Sequence, residues 1–272
     1  MTGVRAVRRQ VRRRAFRFLS RNAEAPMVRA AARAASSLLS ATQNDDADPE
    51  HDGEFAVLQR LAAVRPRLVL DVGAHTGAWT VEALRLFPDA VSHALEPAPP
   101  TFARLEHKLS DHPRAVVHQV ALSDRSGEAE MGFDAGHPEM ATLSSGDGAG
   151  QRFTVACQTG DEFLAAQGIE HVDYLKVDVE GHDLSVLRGF RQALSTGVVD
   201  VVQFEFGPWN AITRTWLYDF FAELPAEVYL VGRIFPSHVR FADYHHSAET
   251  FACRQNFVAV RRHRPDLIAA LR

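Results

Sequence analysis

The stretch RLVLDVGAHTGAWT, residues 67–80, decides the fold. It begins with an apolar run that ends at Asp71, which is typical of a strand buried on both faces of a parallel sheet. Gly73 and Gly77 then span a turn, and the residues after the turn have helical periodicity. A strand, a glycine-containing turn and a helix in this order predict a ligand site at the carboxyl end of the strand.

The spacing of the glycines distinguishes between ligands. The dinucleotide fingerprint is G-x-G-x-x-G, whereas this turn reads G-A-H-T-G and lacks the middle glycine. A P-loop is excluded because no lysine follows the glycines. The carboxylate of Asp71 suits an ammonium group, such as that of the methionine moiety of S-adenosylmethionine, better than a phosphate. We therefore predict that the cofactor is bound by Asp71, Gly73, Ala74, His75, Thr76 and Gly77.

Further along the chain, strand and helix patterns alternate, which predicts a parallel sheet with right-handed crossovers and helices on both faces. The segment AVVHQVAL (115–122) is predicted as its third strand. The segments GEAEMGF (127–133) and RFTVACQT (152–159) are predicted as an added hairpin around a flexible loop, residues 134–150.

Polar residues follow the second and third predicted strands. Glu96 ends the second strand about twenty residues after the turn, where an acidic side chain can accept both ribose hydroxyls. Because NAD and S-adenosylmethionine share that ribose, Glu96 alone does not discriminate between them. Ser123 or Asp124, after the third strand, is predicted to hydrogen-bond the adenine edge.

The segment DYLKVDVEGHDLSVLRG (173–189) ends the fourth predicted strand with two carboxylates and an imidazole. His182 suits the role of general base for a hydroxyl acceptor, with Asp178 or Glu180 orienting it. Alternatively, Asp178 and Glu205, at the end of the fifth strand, hold a divalent metal such as Mg²⁺. A helix cap at Asp178 and a surface position for His182 are the structural alternatives.

Composition limits the class of protein. The chain has 272 residues and 46% hydrophobic residues, enough for one sizeable core. It has no apolar run long enough to span a bilayer and no apolar stretch typical of a signal peptide. With only two cysteines a disulfide framework is not expected, and the default compartment is the cytoplasm.

Charge is distributed unevenly along the chain. Residues 1–40 carry ten arginines and one acidic residue, whereas the rest has 20 basic and 33 acidic residues, so nucleic acid is an unexpected acceptor. We predict an Arg-rich extension and linker over 1–50 and a catalytic domain over 51–272, with residues 42–53 as the linker. The basic helix of the extension could contact an anionic membrane or a partner, pack on the body, remain a solvated extension, or act as a mitochondrial presequence.

Together these segments resemble the FkbM family of S-adenosylmethionine-dependent methyltransferases, above all KVDVEG downstream of DVGAHTG. The resemblance covers residues 52–262 and implies a class I methyltransferase fold, with a Rossmann-like, seven-stranded, mostly parallel sheet and an antiparallel last strand. It also implies O-methylation of a hydroxyl on a sugar, glycan or polyketide-type molecule. The chain departs from the family at His75, where Asn is common, and at Asp183, where Glu is common.

Other functions remain open at this point. The motif for methylating planar amines, Asn/Asp-Pro-Pro-aromatic after the fourth strand, is absent, which disfavours an N-methyltransferase. An NAD-binding protein is disfavoured by the missing glycine, and a non-catalytic protein by the intact turn. The acceptor is expected to contact the segments 131–152, 207–216 and 233–250, which contain Trp209, Trp216, Phe235, His238 and Tyr244; no oligomeric state is indicated.

Overall fold

The computed structural model describes residues 2–46, 48–134, 137–142 and 151–272. The chain divides into two compact units, Met1–Asp45 and Asp46–Arg272. The first unit consists of two helices, α1 (Thr2–Arg21) and α2 (Pro26–Thr42). Among the described residues, none of the helices combines the length and the apolar character that crossing a bilayer requires.

The second unit alternates strands and helices. Its strands are β1 (Leu68–Val72), β2 (Val91–Leu95), β3 (Ala115–His118), β4 (Ala121–Ser123), β5 (Gly127–Asp134), β6 (His137–Thr142), β7 (Gln151–Thr159), β8 (Val172–Val177), β9 (Val199–Phe206), β10 (Tyr229–Phe235), β11 (His238–Phe241) and β12 (Gln255–Arg261). Its helices are α3 (Glu54–Leu61), α4 (Ala78–Leu86), α5 (Pro99–Leu109), α6 (Gly160–Gln167), α7 (Asp183–Gly189), α8 (Arg191–Thr196), α9 (Pro208–Thr213), α10 (Leu217–Glu223) and α11 (Pro265–Leu271).

The main sheet has the strand order β11-β10-β12-β9-β8-β1-β2-β3. The strands β3, β2, β1, β8 and β9 are parallel, and β12 runs antiparallel to both β9 and β10. The predicted Rossmann-like sheet with an antiparallel last strand is confirmed. The strand β11, which pairs with β10 as a hairpin, adds an eighth strand that the sequence patterns did not indicate.

Both faces of the sheet are covered, as the apolar β1 run predicts. Val69 belongs to the cluster formed with α3, α4 and α11, whereas Leu70 belongs to the cluster formed with α6, α7, α8 and α10. Because successive side chains of a strand point to opposite faces, β1 has to be apolar throughout to satisfy both clusters. Because β1, β2, β8 and β9 are parallel, their carboxyl ends meet at one edge of the sheet.

The predicted third strand is wrong in its extent. Residues 115–122 form two strands, because β3 pairs with β2 in the main sheet while β4 pairs with β7 in a second sheet of order β4-β7-β5-β6. The predicted hairpin is confirmed as the antiparallel pair β5 and β7. The predicted flexible loop is wrong over 137–142, which is β6; residues 135–136 and 143–150 lie outside the described residues.

Candidate active site

Asp71 lies at the carboxyl end of β1 and is fully buried. Its Oδ2 accepts a hydrogen bond from the Thr80 hydroxyl at 2.6 Å, whereas its Oδ1 has no hydrogen-bond partner among the described residues. Burial raises the pKa of Asp71, and the nearby charge of Lys176 partly opposes that effect. A buried oxygen without a partner is destabilising, which is typical of a group held for a ligand.

The turn after β1 is held close to two neighbouring strands. The amides of Gly73 and Ala74 both donate to the Leu95 carbonyl at 3.0 Å. Gly73 has a φ of 84°, and a Cβ there would lie 1.9 Å from the carbonyl oxygen of Asp178. Only glycine therefore fits, since a side chain would separate the ends of β1 and β8.

The carboxylate of Glu96, at the end of β2, accepts hydrogen bonds from two nearby backbone amides. Its Oε2 accepts from the His75 amide at 3.1 Å, and its Oε1 accepts from the Ala98 amide at 2.9 Å. Burial raises the pKa of Glu96 to about 7, although the two amides lower it. The two hydrogen bonds fix the carboxylate beside the turn, and each oxygen keeps a further lone pair for a ligand hydroxyl.

Ser123, Asp124 and His182 come together, and none of them is among the residues that line the pocket around Asp71. The Ser123 hydroxyl lies 2.8 Å from Nε2 of His182 and 3.2 Å from Oδ1 of Asp124. Burial lowers the pKa of His182, and the Asp124 carboxylate partly opposes that shift. His182 is absent from the residues that line the pocket around Asp71. In this structure the His182 imidazole therefore contacts the end of β4.

The pocket itself has a volume of about 210 Å³ and opens at the carboxyl edge of the sheet. Five carboxylates and two cations contribute to its lining, so its charge is acidic. Such a lining favours a cationic ligand, as a sulfonium and an ammonium are. The lining residues are Pro49, Asp52, Glu54, Asp71, Gly73, Ala74, His75, Thr76, Ala78, Trp79, Lys176, Asp178, Glu205 and Arg254.

Lys176 is the central cation of this pocket. Its Nζ lies 2.7 Å from Oδ2 of Asp178 and 3.8 Å from Oε2 of Glu54. Burial alone lowers the pKa of Lys176, but the carboxylates of Asp178, Glu54 and Asp71 outweigh it and raise the pKa well above its ordinary value. Burial likewise acts to raise the pKa of Asp178, but Lys176 outweighs it and the net shift is downward. Both groups therefore remain charged in the buried pair.

Glu205 faces the same pocket from the end of β9. Its Oε2 lies 3.5 Å from Nε of Arg254. Burial, followed by the charge of Asp178, raises the pKa of Glu205 well above its ordinary value. The two carboxylates that the sequence suggested as metal ligands, Asp178 and Glu205, are thus each paired with a cation in this structure.

A cluster of potential metal ligands lies outside this pocket. In the part of the chain that the structure describes, one group of three His, Cys, Asp or Glu side chains has its ligand atoms within 4.8 Å of one another: His171, Asp173 and Asp200. Asp200 is already paired with Arg261 and with Arg264, which lies in very close contact. This group is a salt-bridge network that joins the amino ends of β8 and β9 to the chain after β12.

The turn after β8, which contains the predicted catalytic residue Glu180, packs against α9, which carries the predicted acceptor residue Trp209. Glu180 and Gly181 both have positive φ values, 52° and 87°. A Cβ at Gly181 would lie 2.7 Å from Cβ of Trp209, so α9 packs directly on this turn. Asp183 is buried at the start of α7, where its carboxylate accepts from the amides of Gly181 and Glu205. Burial, followed by the charge of Asp178, raises the pKa of Asp183 to about 8.

Sequence reasoning missed a buried carboxylate pair at this site. Asp52 was assigned to the linker and Glu54 was given no role, but both line the pocket. Nδ2 of Asn256 donates to Asp52 at 2.8 Å and to Glu54 at 3.0 Å, and Gln203 donates to Glu54 at 2.8 Å. Burial and the charge of Glu54 raise the pKa of Asp52 to about 8.

Lys176, Arg254 and Trp79 were missed as well. Lys176 had a detectable signal, because it is one of only two lysines in the chain and interrupts an apolar strand. Nothing in the sequence marks Arg254, which only the antiparallel return of β12 brings beside Glu205. Trp79 is 5% exposed and stacks obliquely on Tyr174, and its Nε1 has no partner among the described residues.

Comparisons with known proteins give a consistent result. The Methyltransferase FkbM domain model matches residues 71–235. Hexuronic acid methyltransferase AglP of Haloferax volcanii is 30% identical over 57% of this chain and 64% of its own length. The 31-O-demethyl-FK506 methyltransferase FkbM of Streptomyces tacrolimicus is 33% identical over 46% of this chain and 60% of its own.

A third relative, 2-O-methyltransferase NoeI of Sinorhizobium fredii, is 24% identical over 47% of this chain and 59% of its own length. The chain thus spans less than two thirds of the length of each of these relatives. The family match covers most of the described pocket, from Asp71 to Glu205. The chain belongs to the FkbM family of methyltransferase domains.

Proposed function

We propose that the chain is an S-adenosylmethionine-dependent O-methyltransferase acting on a hydroxyl of a sugar, glycan or polyketide-type small molecule. The observation that carries the proposal is the partnerless Oδ1 of Asp71 in an acidic pocket at the end of β1. The names of the relatives support the reaction: one acts on hexuronic acid, one is a 2-O-methyltransferase and one methylates 31-O-demethyl-FK506.

The donor fits the groups at this edge of the sheet. Asp71 offers its unpaired oxygen to the ammonium group, and Glu96 holds a carboxylate beside the turn for the ribose hydroxyls. Ser123 and Asp124 remain our assignment for the adenine edge. When bound, the donor supplies a methyl group on a positively charged sulfur, which is electrophilic without further activation.

Alignment is the main task left to the protein. In-line placement of the acceptor oxygen can supply about 7–11 kcal/mol in the best case. We assign Asp178 to the acceptor hydroxyl, because its carboxylate lines the pocket and stays ionised beside Lys176. There it would accept the hydroxyl hydrogen bond and, as the oxygen–methyl bond forms and the methyl–sulfur bond breaks to leave a neutral thioether, the hydroxyl proton. His182, the base suggested by the sequence, would act only if it turned away from Ser123.

Two alternatives have a clear test. In one, the chain methylates nitrogen; in the other, Asp178 and Glu205 release their cations and hold Mg²⁺ for the acceptor. Transfer of a labelled methyl group from S-adenosylmethionine to a panel of glycosides and amines, with the methylated atom identified by mass spectrometry, tests the first alternative. The same assay with and without EDTA tests the second. Methyl ethers are expected, and methylamines as the only products would contradict the proposal.

We further propose that the first unit binds an anionic membrane surface. α2 places Met27, Leu38 and Leu39 on one side, where they are 85%, 68% and 55% exposed, and places Arg29 and Arg33 on the other. α1 likewise exposes apolar residues among its arginines. Helices that are basic on one face and apolar on the other bind in the headgroup region of acidic bilayers. This would make the enzyme a peripheral protein of the cytoplasmic membrane face.

A further inference from the structure

Trp79 brings an indole N–H to the pocket that the function proposed above does not use. The residue is the second of α4, lines the pocket and is 5% exposed. Its Nε1 has no hydrogen-bond partner among the described residues. An indole nitrogen can only donate a hydrogen bond, so its partner has to be an acceptor. Leaving a buried donor without a partner costs about 1–3 kcal/mol, which favours an acceptor supplied by a ligand.

The indole ring is held in place by its neighbours on β8. Its centre lies 5.3 Å from the centre of the Tyr174 ring, with 48° between the two planes, and 6.0 Å from Nζ of Lys176. Tyr174 is fully buried, and its hydroxyl donates to the side chain of Gln203. Because the ring packs against a fixed neighbour, its N–H has little freedom to turn towards another part of the protein.

The unpaired donor of Trp79 lies close in the chain to an unpaired acceptor. Thr80, the next residue, donates its hydroxyl to Oδ2 of Asp71 at 2.6 Å, while Oδ1 of the same carboxylate has no partner among the described residues. The pocket therefore calls for a ligand that donates a hydrogen bond at one point and accepts one at another. An α-amino acid group meets both needs, since it carries an ammonium and a carboxylate on one carbon atom.

The start of α4 is the part of this acidic pocket that best suits a carboxylate. The first amides of a helix lack acceptors within the helix and give its start a partial positive charge. The N-cap, Gly77, has no side chain to accept from these amides, and the first turn of α4 contains no acidic residue. The two cations of the pocket are already paired with carboxylates of its wall. A ligand carboxylate is therefore most favourable beside Trp79.

We propose that Trp79 binds the carboxylate of the donor's methionine moiety through its indole N–H, while Asp71 binds the ammonium group of the same moiety. The inference rests on the proposed function and assigns a binding residue to a part of the donor that has none so far. The two side chains together would recognise the intact amino acid end of the donor. A donor analogue that has lost its carboxylate would then bind less tightly and would be insensitive to the indole nitrogen.

The test compares S-adenosylhomocysteine with its decarboxylated analogue, which keeps the ammonium group. Calorimetric titration of the full chain measures both affinities for the wild type and for Trp79→Phe, which keeps an aromatic ring and removes the N–H. Trp79→Phe is expected to weaken S-adenosylhomocysteine by at least about tenfold, as the loss of a hydrogen bond to a charged group does. It should leave the affinity for the decarboxylated analogue nearly unchanged.

Tyr229→Phe is the control, because it removes another buried aromatic donor, which bonds the Val199 carbonyl outside the pocket. It should alter the affinity for neither ligand. A second measurement needs no variant of Trp79. The three tryptophans of the chain give three indole N–H resonances, and Trp209→Phe and Trp216→Phe assign the other two. The Trp79 resonance is expected to move downfield with S-adenosylhomocysteine and not with the decarboxylated analogue.

Equal weakening of both ligands by Trp79→Phe would overturn the proposal, because the indole would then contribute only its shape. An unshifted Trp79 resonance in the wild type saturated with S-adenosylhomocysteine would overturn it as well. Either result leaves the proposed function standing, since S-adenosylhomocysteine still binds. A wild type that binds neither ligand would instead overturn the proposed function, and this inference with it.

Discussion

Lys176 and Asp178 form a buried ion pair in the wall of the pocket, with 2.7 Å between Nζ and Oδ2. Two residues apart on and just after β8, they point to the same side of the strand. The pair joins the floor of the pocket to Glu54 on α3, whose carboxylate lies 3.8 Å from the same Nζ. Lys176 therefore lies among the carboxylates of Asp178, Glu54 and Asp71, which would otherwise repel one another.

We expect Lys176→Met to destabilise the protein by about 3–5 kcal/mol, because it leaves buried carboxylates without their cation. The free energy of unfolding in urea measures the effect. The other lysine of the chain, exposed Lys108, provides the control, and Lys108→Met should change stability by less than about 0.5 kcal/mol. Adding Glu54→Gln to Lys176→Met should recover part of the loss, and equal stability of Lys176→Met and the wild type would refute this role.

The assignment of Asp178 as the group that receives the acceptor hydroxyl predicts a kinetic result. Asp178→Asn should lower kcat by about 10²–10⁴-fold, whereas His182→Ala, which removes a contact with Ser123, should lower it far less. Methyl transfer to the best glycoside of the panel is measured for both variants. EDTA should have little effect on the wild type.

Two outcomes would change this assignment. Loss of activity in EDTA, restored by Mg²⁺ and matched by Glu205→Gln, would replace the proton acceptor with a metal held by Asp178 and Glu205. A low kcat for His182→Ala, with activity falling below the histidine pKa, would make His182 the base. Full activity of the Asp178 variant would show that the acceptor hydroxyl binds elsewhere.

The sequence predicts those parts of the architecture that depend on neighbouring residues. It does not predict the parts that depend on residues far apart in the chain. The β1 strand, its glycine turn and Glu96 were predictable because local periodicity and strand ends carry the signal. The role of Asp52 and Glu54 was not, because it depends on Asn256 and Gln203, about 200 and 150 residues away in the chain. The division of residues 115–122 between two sheets has the same origin, since tertiary pairing with β7 determines it.

The orientation of His182 shows a different limit. Its spacing from Asp178 places it at the correct edge of the sheet, and that much is visible in the sequence. The direction of its ring is decided by the Ser123 hydroxyl at the end of β4, which arrives through a separate strand. The closeness of His182 to Asp178 in the sequence therefore predicted the region in which the imidazole lies. It did not predict that the imidazole contacts Ser123.

A stacked histidine pair predicts a pH dependence of stability. Nδ1 of His93 lies 3.0 Å from Nε2 of His118, and the rings are 5.1 Å apart and nearly parallel. Burial and then the charge of His118 lower the pKa of His93 to about 4, and burial lowers the pKa of His118. Because the pKa of these histidines is lower in the folded state, the contribution of the neutral pair to the free energy of unfolding is complete above about pH 6.5. It is lost as the pH falls towards 4.

The measurement is the urea midpoint of the wild type and of His93→Gln at about pH 7.5 and about pH 5, roughly one unit above and one and a half units below the unfolded histidine pKa. The buried carboxylates with raised pKa values, such as Glu96, act in the opposite direction, so the quantity compared is the difference between variant and wild type. That difference should shrink at the lower pH. His107→Gln, on an exposed histidine, should show no such trend, and a difference that is independent of pH would refute the prediction.

The first unit predicts binding to acidic vesicles by the full chain. Co-sedimentation is expected with vesicles containing phosphatidylglycerol and not with pure phosphatidylcholine, and added salt should release the protein. The double variant Met27→Glu with Leu38→Glu should abolish binding, because it charges the apolar face of α2. Ile212→Glu, on an exposed residue of the second unit, is the control; equal sedimentation with both lipids would contradict the proposal.

Asp71→Asn separates binding from folding. Because burial makes the ionised carboxylate unfavourable, the neutral amide should leave the free energy of unfolding unchanged or higher. Affinity for S-adenosylhomocysteine should fall by about 1.5–3 kcal/mol, the contribution of a hydrogen bond to a charged group. Asp89→Asn, on an exposed carboxylate, is the control for binding, and a destabilised Asp71→Asn with normal affinity would show that Asp71 serves the fold alone.

The central claim is that the acidic pocket at the end of β1 binds the methyl donor. Calorimetric titration of the full chain with S-adenosylhomocysteine, and separately with NAD⁺, tests it most directly. We predict one site for S-adenosylhomocysteine and no heat of binding for NAD⁺, because the turn lacks the middle glycine that a pyrophosphate needs. Binding of NAD⁺ without S-adenosylhomocysteine, or binding of neither ligand, would contradict the account.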